Sequence, residues 1–299
     1  MKPAPFSYHA PERLEEAAAL LASYGDAAKP LAGGQSLVPM LSLRLGSFEH
    51  LVDLNRITSL ATIQPNSDHI RVGATVRQAT AEHSSEIAKA APLVSKALPL
   101  IGHFQIRNRG TVGGSIAHAD PASELPAVAL ALGATLEAVG ANGTRRIAAS
   151  DFFVSTWETS LAENEILSAI EFPIWTGRCG FAVDEIARRH GDFALVGAAV
   201  GIQLDAGNKI SKAAIALFGV GATPIRAHDA EAALLSGVDA AEAGRVAASS
   251  INPSADIHAT AAYRKQVAAV VVRRAITAAL ADANAPTNVS SSASKGTPS

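Results

Sequence analysis

Apolar positions along this chain recur with two different periods, and the switches between them outline its elements. From Pro11 to Tyr24, residues Leu14, Ala17, Leu21 and Tyr24 fall on one face of a helix, with Pro11 suited to its first turn and Gly25 to its exit. A short strand then ends at the pair Gly33-Gly34. Leu51 to Leu54 reads as another, so the first 57 residues form a small βαβ-like lobe. His69 to Val76 alternates around Ile70 and Val72 as a strand, and Arg77 to His83 and Glu86 to Leu100 read as helices. Ser123 can cap a helix from Glu124 to Leu132, whose Leu125, Val128, Ala129 and Leu132 face a core. Strands follow at Thr135 to Val139 and Ile166 to Phe172. Pro173 to Gly180 is punctuated as a domain boundary. Beyond it, Phe193 to Leu204 and Ile210 to Val220 alternate like an antiparallel pair, followed by helices near Ala230 to Leu235 and Tyr263 to Leu280. From Asp282 the chain offers little to bury, and Thr287 to Ser299 is expected to be a disordered tail.

Composition narrows the function classes. The 299 residues are 48% hydrophobic and 17% charged, enough for two or three cored domains. The net charge of −2 leaves no broad basic surface for nucleic-acid phosphates. No apolar run is long enough for a membrane span and no signal-peptide core follows Met1, so a cytoplasmic location is expected. A single cysteine, Cys179, rules out an internal disulfide and an iron–sulfur cluster ligated by cysteines of this chain alone. The nine histidines form no HExxH motif, and no intrinsic metal is expected.

The chemistry-bearing signal is a pair of glycine clusters, Ala32-Gly33-Gly34-Gln35-Ser36 and Thr111-Val112-Gly113-Gly114-Ser115. Glycine allows positive φ and close backbone approach, so successive amides can converge on an anion while Ser and Thr add uncharged donors. Neither cluster is GxGxxG and no GxxxxGK[ST] occurs, which excludes a Rossmann or P-loop site. Gly113-Gly114-Ser115-Ile116-Ala117 approaches a GxSxG elbow with His118 and Asp120 nearby. The last elbow glycine is alanine, however, and His118 follows Ser115 too closely for a hydrolase triad. His118 and Asp120 read instead as loop-ordering groups.

Three segments together, Phe6-Ser7-Tyr8-His9-Ala10-Pro11, Ala32-Gly33-Gly34-Gln35-Ser36-Leu37 and Gln105-Ile106-Arg107-Asn108-Arg109-Gly110-Thr111-Val112-Gly113-Gly114-Ser115, carry a family resemblance. So do Asp120-Pro121-Ala122-Ser123-Glu124-Leu125-Pro126, Glu165-Ile166-Leu167, Arg188 to Ala194 and Tyr263-Arg264. The chain resembles the FAD-binding medium subunit of the molybdenum hydroxylases, the xanthine dehydrogenase and carbon monoxide dehydrogenase family. The resemblance implies an α+β fold: a two-lobe FAD-binding domain of the p-cresol-methylhydroxylase type (1–57 and 58–176), a C-terminal CO-dehydrogenase-flavoprotein-type domain (177–281) and a tail (282–299). It implies non-covalent FAD, its diphosphate wrapped by Leu31, Ala32, Gly33, Gly34, Gln35, Ser36 and Leu37 and by Thr111, Val112, Gly113, Gly114 and Ser115. Glu124 would hydrogen-bond the cofactor, Ile101 and Leu167 would flank adenine, and Asp184 would neighbour the flavin end where some relatives carry lysine. Phe193 would lie near the isoalloxazine face. Arg107 and Arg109 either touch phosphate, brace the loop or meet a partner chain.

The resemblance further implies no catalytic residue of the chain's own. A molybdopterin-binding large subunit would oxidise the substrate and a small subunit would carry two [2Fe–2S] clusters, in a dimer of heterotrimers. This chain's FAD would pass the electrons to an external acceptor. Two rivals remain: a self-sufficient flavin-dependent oxidoreductase of the same cofactor fold, which needs an acid or base over the flavin, and a scaffold that has lost FAD.

Overall fold

The computed structural model describes residues 2–285, so the expected tail from Thr287 onward lies outside the described residues. At the N-terminus, β1 (Ser7–His9), α1 (Leu14–Tyr24), β2 (Ala28–Leu31), α2 (Leu37–Ser42) and β3 (His50–Asp53) build a small lobe around a parallel sheet of order β1-β3-β2. Helix α1 begins later than the pattern predicts: Arg13 is the extended N-cap, leaving Pro11 ahead of the first turn. Its Ala17, Ala18 and Leu21 pack with Val52, Leu54 and Ile57. Because all three strands run the same way, the carboxyl ends of β2 and β3 open on one edge, where ligands of parallel sheets characteristically bind.

The middle of the chain forms a five-stranded antiparallel sheet of order β4-β5-β10-β6-β7 with helices against it. In chain order these are β4 (Ile63–Pro65), β5 (His69–Gly73), α3 (Gln78–Glu82), α4 (Ser85–Ala90), α5 (Pro92–Ala97), α6 (Phe104–Arg107), α7 (Val112–His118), α8 (Glu124–Leu132), β6 (Thr135–Gly140), β7 (Gly143–Ala148), α9 (Ala149–Phe152), β8 (Phe153–Ser155), β9 (Glu158–Thr159) and β10 (Ile166–Pro173). The single helix predicted from Glu86 to Leu100 is two. Pro92 cannot donate to the ladder and forces Ala91 out of the helical region, to φ −137° and ψ 66°, so α4 stops and α5 restarts with the proline in its first turn. Helix α8 spans the predicted Glu124–Leu132 and is buried on nearly every side.

A second antiparallel sheet, β11 (Arg178–Ile186), β12 (Val196–Leu204), β13 (Ile210–Phe218) and β14 (Ile225–Arg226), is covered on one face by α10 (His228–Leu235), α11 (Ala240–Ser249) and α12 (Ala261–Asn284). Its other face packs on α8 and the central core, through Phe181, Ala199, Ala216 and Phe218. Strand β11 has no forerunner in the sequence pattern, because its two faces are both covered and its residues therefore do not alternate cleanly. Gly180 sits where β11 crosses α12; a Cβ there would fall on the α12 backbone, within 2.9 Å of Ala283 Cα. Among the described residues no helix is long and apolar enough to cross a membrane.

Candidate functional site

Where β2 leaves its sheet, the chain turns through Ala32–Ser36 into α2 and lines a cleft of about 440 Å³. Gly34 takes the left-handed conformation, φ +72°, which favours glycine. The Gly34 and Ser36 carbonyls accept from Val38 (3.1 Å) and Met40 (3.2 Å), committing the oxygens of this turn to α2. The amides of Ala32, Gly33, Gly34, Gln35 and Ser36 have no acceptor among the described residues. A run of free amides about a left-handed residue is an anion-binding concavity.

The second cluster works differently. Expected as a further set of converging amides, it is the start of α7, and four of its five amides are spent: Val112 N–H on Val76 O (2.9 Å), Gly113 N–H on Ala74 O (3.0 Å), Gly114 N–H on Thr111 Oγ1 (3.0 Å) and Ser115 N–H on Thr111 O (3.1 Å). Thr111 is the α7 N-cap, and capping consumes the donors an anion would need. Its glycines serve close packing instead. A Cβ on Gly113 would strike Ala74; one on Gly114 would lie 2.6 Å from Thr111 Oγ1 and 3.5 Å from Ala32 Cβ. A Cβ on Gly33 would fall on the Arg109 carbonyl oxygen and 2.8 Å from Gly110 Cα. The two clusters thus touch, and the first presents a run of five free amides where the second keeps only that of Thr111. The Ser115 hydroxyl has no partner among the described residues and remains a donor on the second.

Residues absent from the sequence-level candidates knit this edge together. Asp53, at the end of β3, accepts from Tyr8 and from the Asn55 amide (2.9 Å) and side chain; Asn55 Nδ2 also donates to Ala32 O (2.8 Å). Arg77 donates to Asn55 Oδ1 (2.6 Å) and to the Arg109 carbonyl. Asp53 and Asn55 had a legible signal, since polar residues at the carboxyl end of a parallel strand mark a binding edge. Arg77 had none; a 22-residue separation from Asn55 closes only in the fold.

The remaining expected residues scatter. Leu167 is core, 4% exposed on β10, and Ile101 is half-buried against the same core. Arg107 is a brace: it pairs with Glu82 (2.7 Å) and donates to Ile101 O (2.9 Å) and Gly102 O (3.2 Å). Arg109 is exposed and lines the cleft beside the first cluster, forming no ion pair among the described residues. Phe193 is 58% exposed, on a loop that meets the Ile101 segment: a Cβ on Gly191 would lie 2.9 Å from the His103 ring. His118 stacks on Trp157 while Asp120 accepts from Trp157 Nε1 (3.1 Å) and Ala122 N–H (2.9 Å), so both order the turn before α8.

Glu124 and Asp184 differ in outcome. Glu124 is 4% exposed at the start of α8, and burial, with the charge of Glu185 next, pushes its pKa up to about 8. Asp184 faces the helix layer, 3.1 Å from Arg274 of α12, because β11 alternates and Ala182 and Asp184 share the side turned to α12. Glu185, one residue on, has the opposite facing and is the group whose charge reaches Glu124; burial, then Asp184, raises its own pKa to about 7. The carboxylate toward the second lobe is therefore Glu185.

Comparison with known proteins bears on this arrangement. Residues 4–175 match the FAD binding domain in molybdopterin dehydrogenase, and residues 181–279 the CO dehydrogenase flavoprotein C-terminal domain. The chain is 42% identical to the 6-hydroxypseudooxynicotine dehydrogenase complex subunit alpha of Paenarthrobacter nicotinovorans, over 94% of this chain and 96% of that protein. It is 38% identical to the carbon monoxide dehydrogenase medium chain of Hydrogenophaga pseudoflava, covering 94% and 99%. A solved structure of carbon monoxide dehydrogenase from H. pseudoflava superposes with a TM-score of 0.91 at 40% identity, covering 94% of this chain and 99% of that one. With both domains matched and the alignments spanning nearly the whole chain, it belongs to the family of FAD-binding medium subunits of the molybdenum hydroxylases.

Proposed function

We propose that this chain is the electron-transfer subunit of a heterotrimeric molybdenum hydroxylase: its FAD takes electrons from the [2Fe–2S] clusters of a small subunit and delivers them to an external acceptor. The carrying observation is the five free amides at the Gly34 turn, in contact with the second glycine cluster. Their chemistry fits a diphosphate. Uncharged backbone donors satisfy anionic oxygens without the desolvation of a paired acid, and the cluster contacts leave no room for a Cβ at Gly33. Bound FAD supplies the capacity to accept electron pairs and release them one or two at a time.

The chain's own residues would bind and orient. The Ala32–Ser36 amides would hold the diphosphate with the Ser115 hydroxyl, and the half-buried Ile101 would flank the adenine. Phe193, exposed on a loop against the Ile101 segment, would lie near the isoalloxazine face. Glu124 keeps its proton at neutral pH and so presents a donor in a buried setting. A molybdopterin-binding large subunit and the small subunit complete a heterotrimer, which pairs into a dimer. FAD is held without a covalent bond, and the whole works in the cytoplasm.

Reconstitution tests the reading. A complex purified without this chain is expected to reduce its molybdenum and iron–sulfur centres with substrate, yet to reduce an external acceptor only after the chain and FAD are restored. Turnover of an organic substrate by the isolated chain would replace this reading with a self-sufficient oxidoreductase.

A further inference from the structure

Two guanidinium groups, those of Arg109 and Arg77, meet beside the first glycine cluster, and one carboxylate, Asp53, lines the same cleft. Arg109 lines the cleft with its guanidinium unpaired among the described residues. Arg77 lies close enough that the charge of Arg109, after burial, lowers its pKa, while the charge of Asp53 acts the other way. Asp53 accepts from neutral donors, the Tyr8 hydroxyl and Asn55, and makes no direct ion pair with either arginine among the described residues. The two guanidiniums repel each other and the single carboxylate offsets only one of them, so an anion beside Arg109 lowers the free energy of the cleft.

Arg77 links the surroundings of the two clusters. It extends from the residue before α3, its backbone bridged to Thr111. One amino group bonds Asn55 Oδ1, and Asn55 in turn holds the Ala32 carbonyl; the other bonds the Arg109 carbonyl, against which Gly33 packs. A guanidinium can reach two acceptors in a fixed fork, whereas an ammonium cannot reproduce that geometry. The bridge sets the distance between the clusters and, through the Arg109 backbone, the place from which the Arg109 side chain extends.

We propose that Arg109 is the charged contact to the diphosphate in this cleft, and that Arg77 is a positioning residue that joins the two glycine clusters and presents Arg109 to it. This deepens the FAD reading and rests on it. Arg109 has no protein partner to lose, so its variants keep the fold; Arg77 acts through others, so its variants must be read against Arg109.

The experiment measures FAD affinity of the full-length, flavin-stripped chain by flavin fluorescence across a series of KCl concentrations. Inorganic pyrophosphate is the competitor, and near-ultraviolet circular dichroism checks the fold. R109Q is expected to bind FAD about tenfold more weakly, as for loss of a charge-assisted hydrogen bond, with a shallower salt dependence and poor competition by pyrophosphate. R109K should recover the salt dependence. R77K should lose as much affinity as R77Q, and R109Q should add little in the R77Q background. Wild-type affinity and salt slope in R109Q would overturn the charge contact; wild-type affinity in R77K, or additive losses in the double variant, would overturn the positioning role. A wild-type chain that binds pyrophosphate but not FAD keeps the anion site and removes the flavin reading, and one that binds neither removes both.

Discussion

Valine at Gly33 would drive a branched side chain into the Arg109 carbonyl and Gly110, and valine at Gly114 would displace Thr111 from its cap. Strain of this kind costs about 1–3 kcal/mol at each site, and the lost cap about 1 kcal/mol more. Both variants are expected to lose most of their FAD while the sheet β11–β14 stays folded. Flavin absorbance and a thermal melt check this, and wild-type flavin content in both would remove the clusters from the site. Glu124 gives a pH dependence. Its folded pKa of about 8 lies above the ordinary value near 4.5, so between these pH values the folded chain keeps a proton that the unfolded chain has released. Stability is then greatest at the acid end of this window and falls as pH rises through 8; Glu185, raised to about 7, acts in the same direction. The melting temperature of the flavin-free chain should drop by several degrees from pH 5 to 8.5, and Glu124→Gln should flatten that drop. At this scale the cradle was legible because glycine pairs flanked by hydroxyls are rare enough to notice. Which of Asp184 and Glu185 faces the second lobe was not: a strand sends neighbours to opposite faces, and only pairing to β12 and packing on α12 set the phase.

Among elements, the long helix expected from Glu86 to Leu100 shows how one residue overrides a periodic pattern, since Pro92 breaks a run whose apolar spacing continues past it. The second glycine cluster was expected as a loop because of its two glycines, and it is helical because Thr111 caps it and α7 packs on β5 and β10. Helix α8, which starts at Glu124, is tied at its other end to the second antiparallel sheet. Arg226 of β14 donates to the Leu130 and Ala131 carbonyls (2.9 and 3.0 Å) and pairs with Glu231, which also accepts from Ile215 N–H (2.7 Å). Removing the arginine leaves a largely buried carboxylate without its cation and the Ala131 carbonyl without a donor, while the Leu130 carbonyl keeps the Gly133 N–H (3.2 Å). Arg226→Met is therefore expected to lower unfolding free energy by about 3 kcal/mol, read from the denaturant midpoint. An unchanged midpoint would show that the sheet and α8 are held by their apolar contact alone.

For the whole molecule, the free backbone donors predict a cofactor held by hydrogen bonds and charge. Acid precipitation should release all flavin to the supernatant, and yellow colour retained in the denatured pellet would contradict it. Sequence by itself determined the local units: the α1 and α8 periods, the alternation of β12 and β13, and the glycine clusters whose type follows from what a backbone without Cβ can do. These properties depend on neighbours a few residues away, and the chain carries them wherever it goes. Only the tertiary structure decided that the two clusters touch, that the first alone keeps a run of amides free, that Arg77 joins Asn55 to Arg109, and that Glu185 rather than Asp184 faces the second lobe. Each of these depends on which groups become neighbours across tens of residues, and hydrogen-bond donors are spent or spared only when those neighbours arrive.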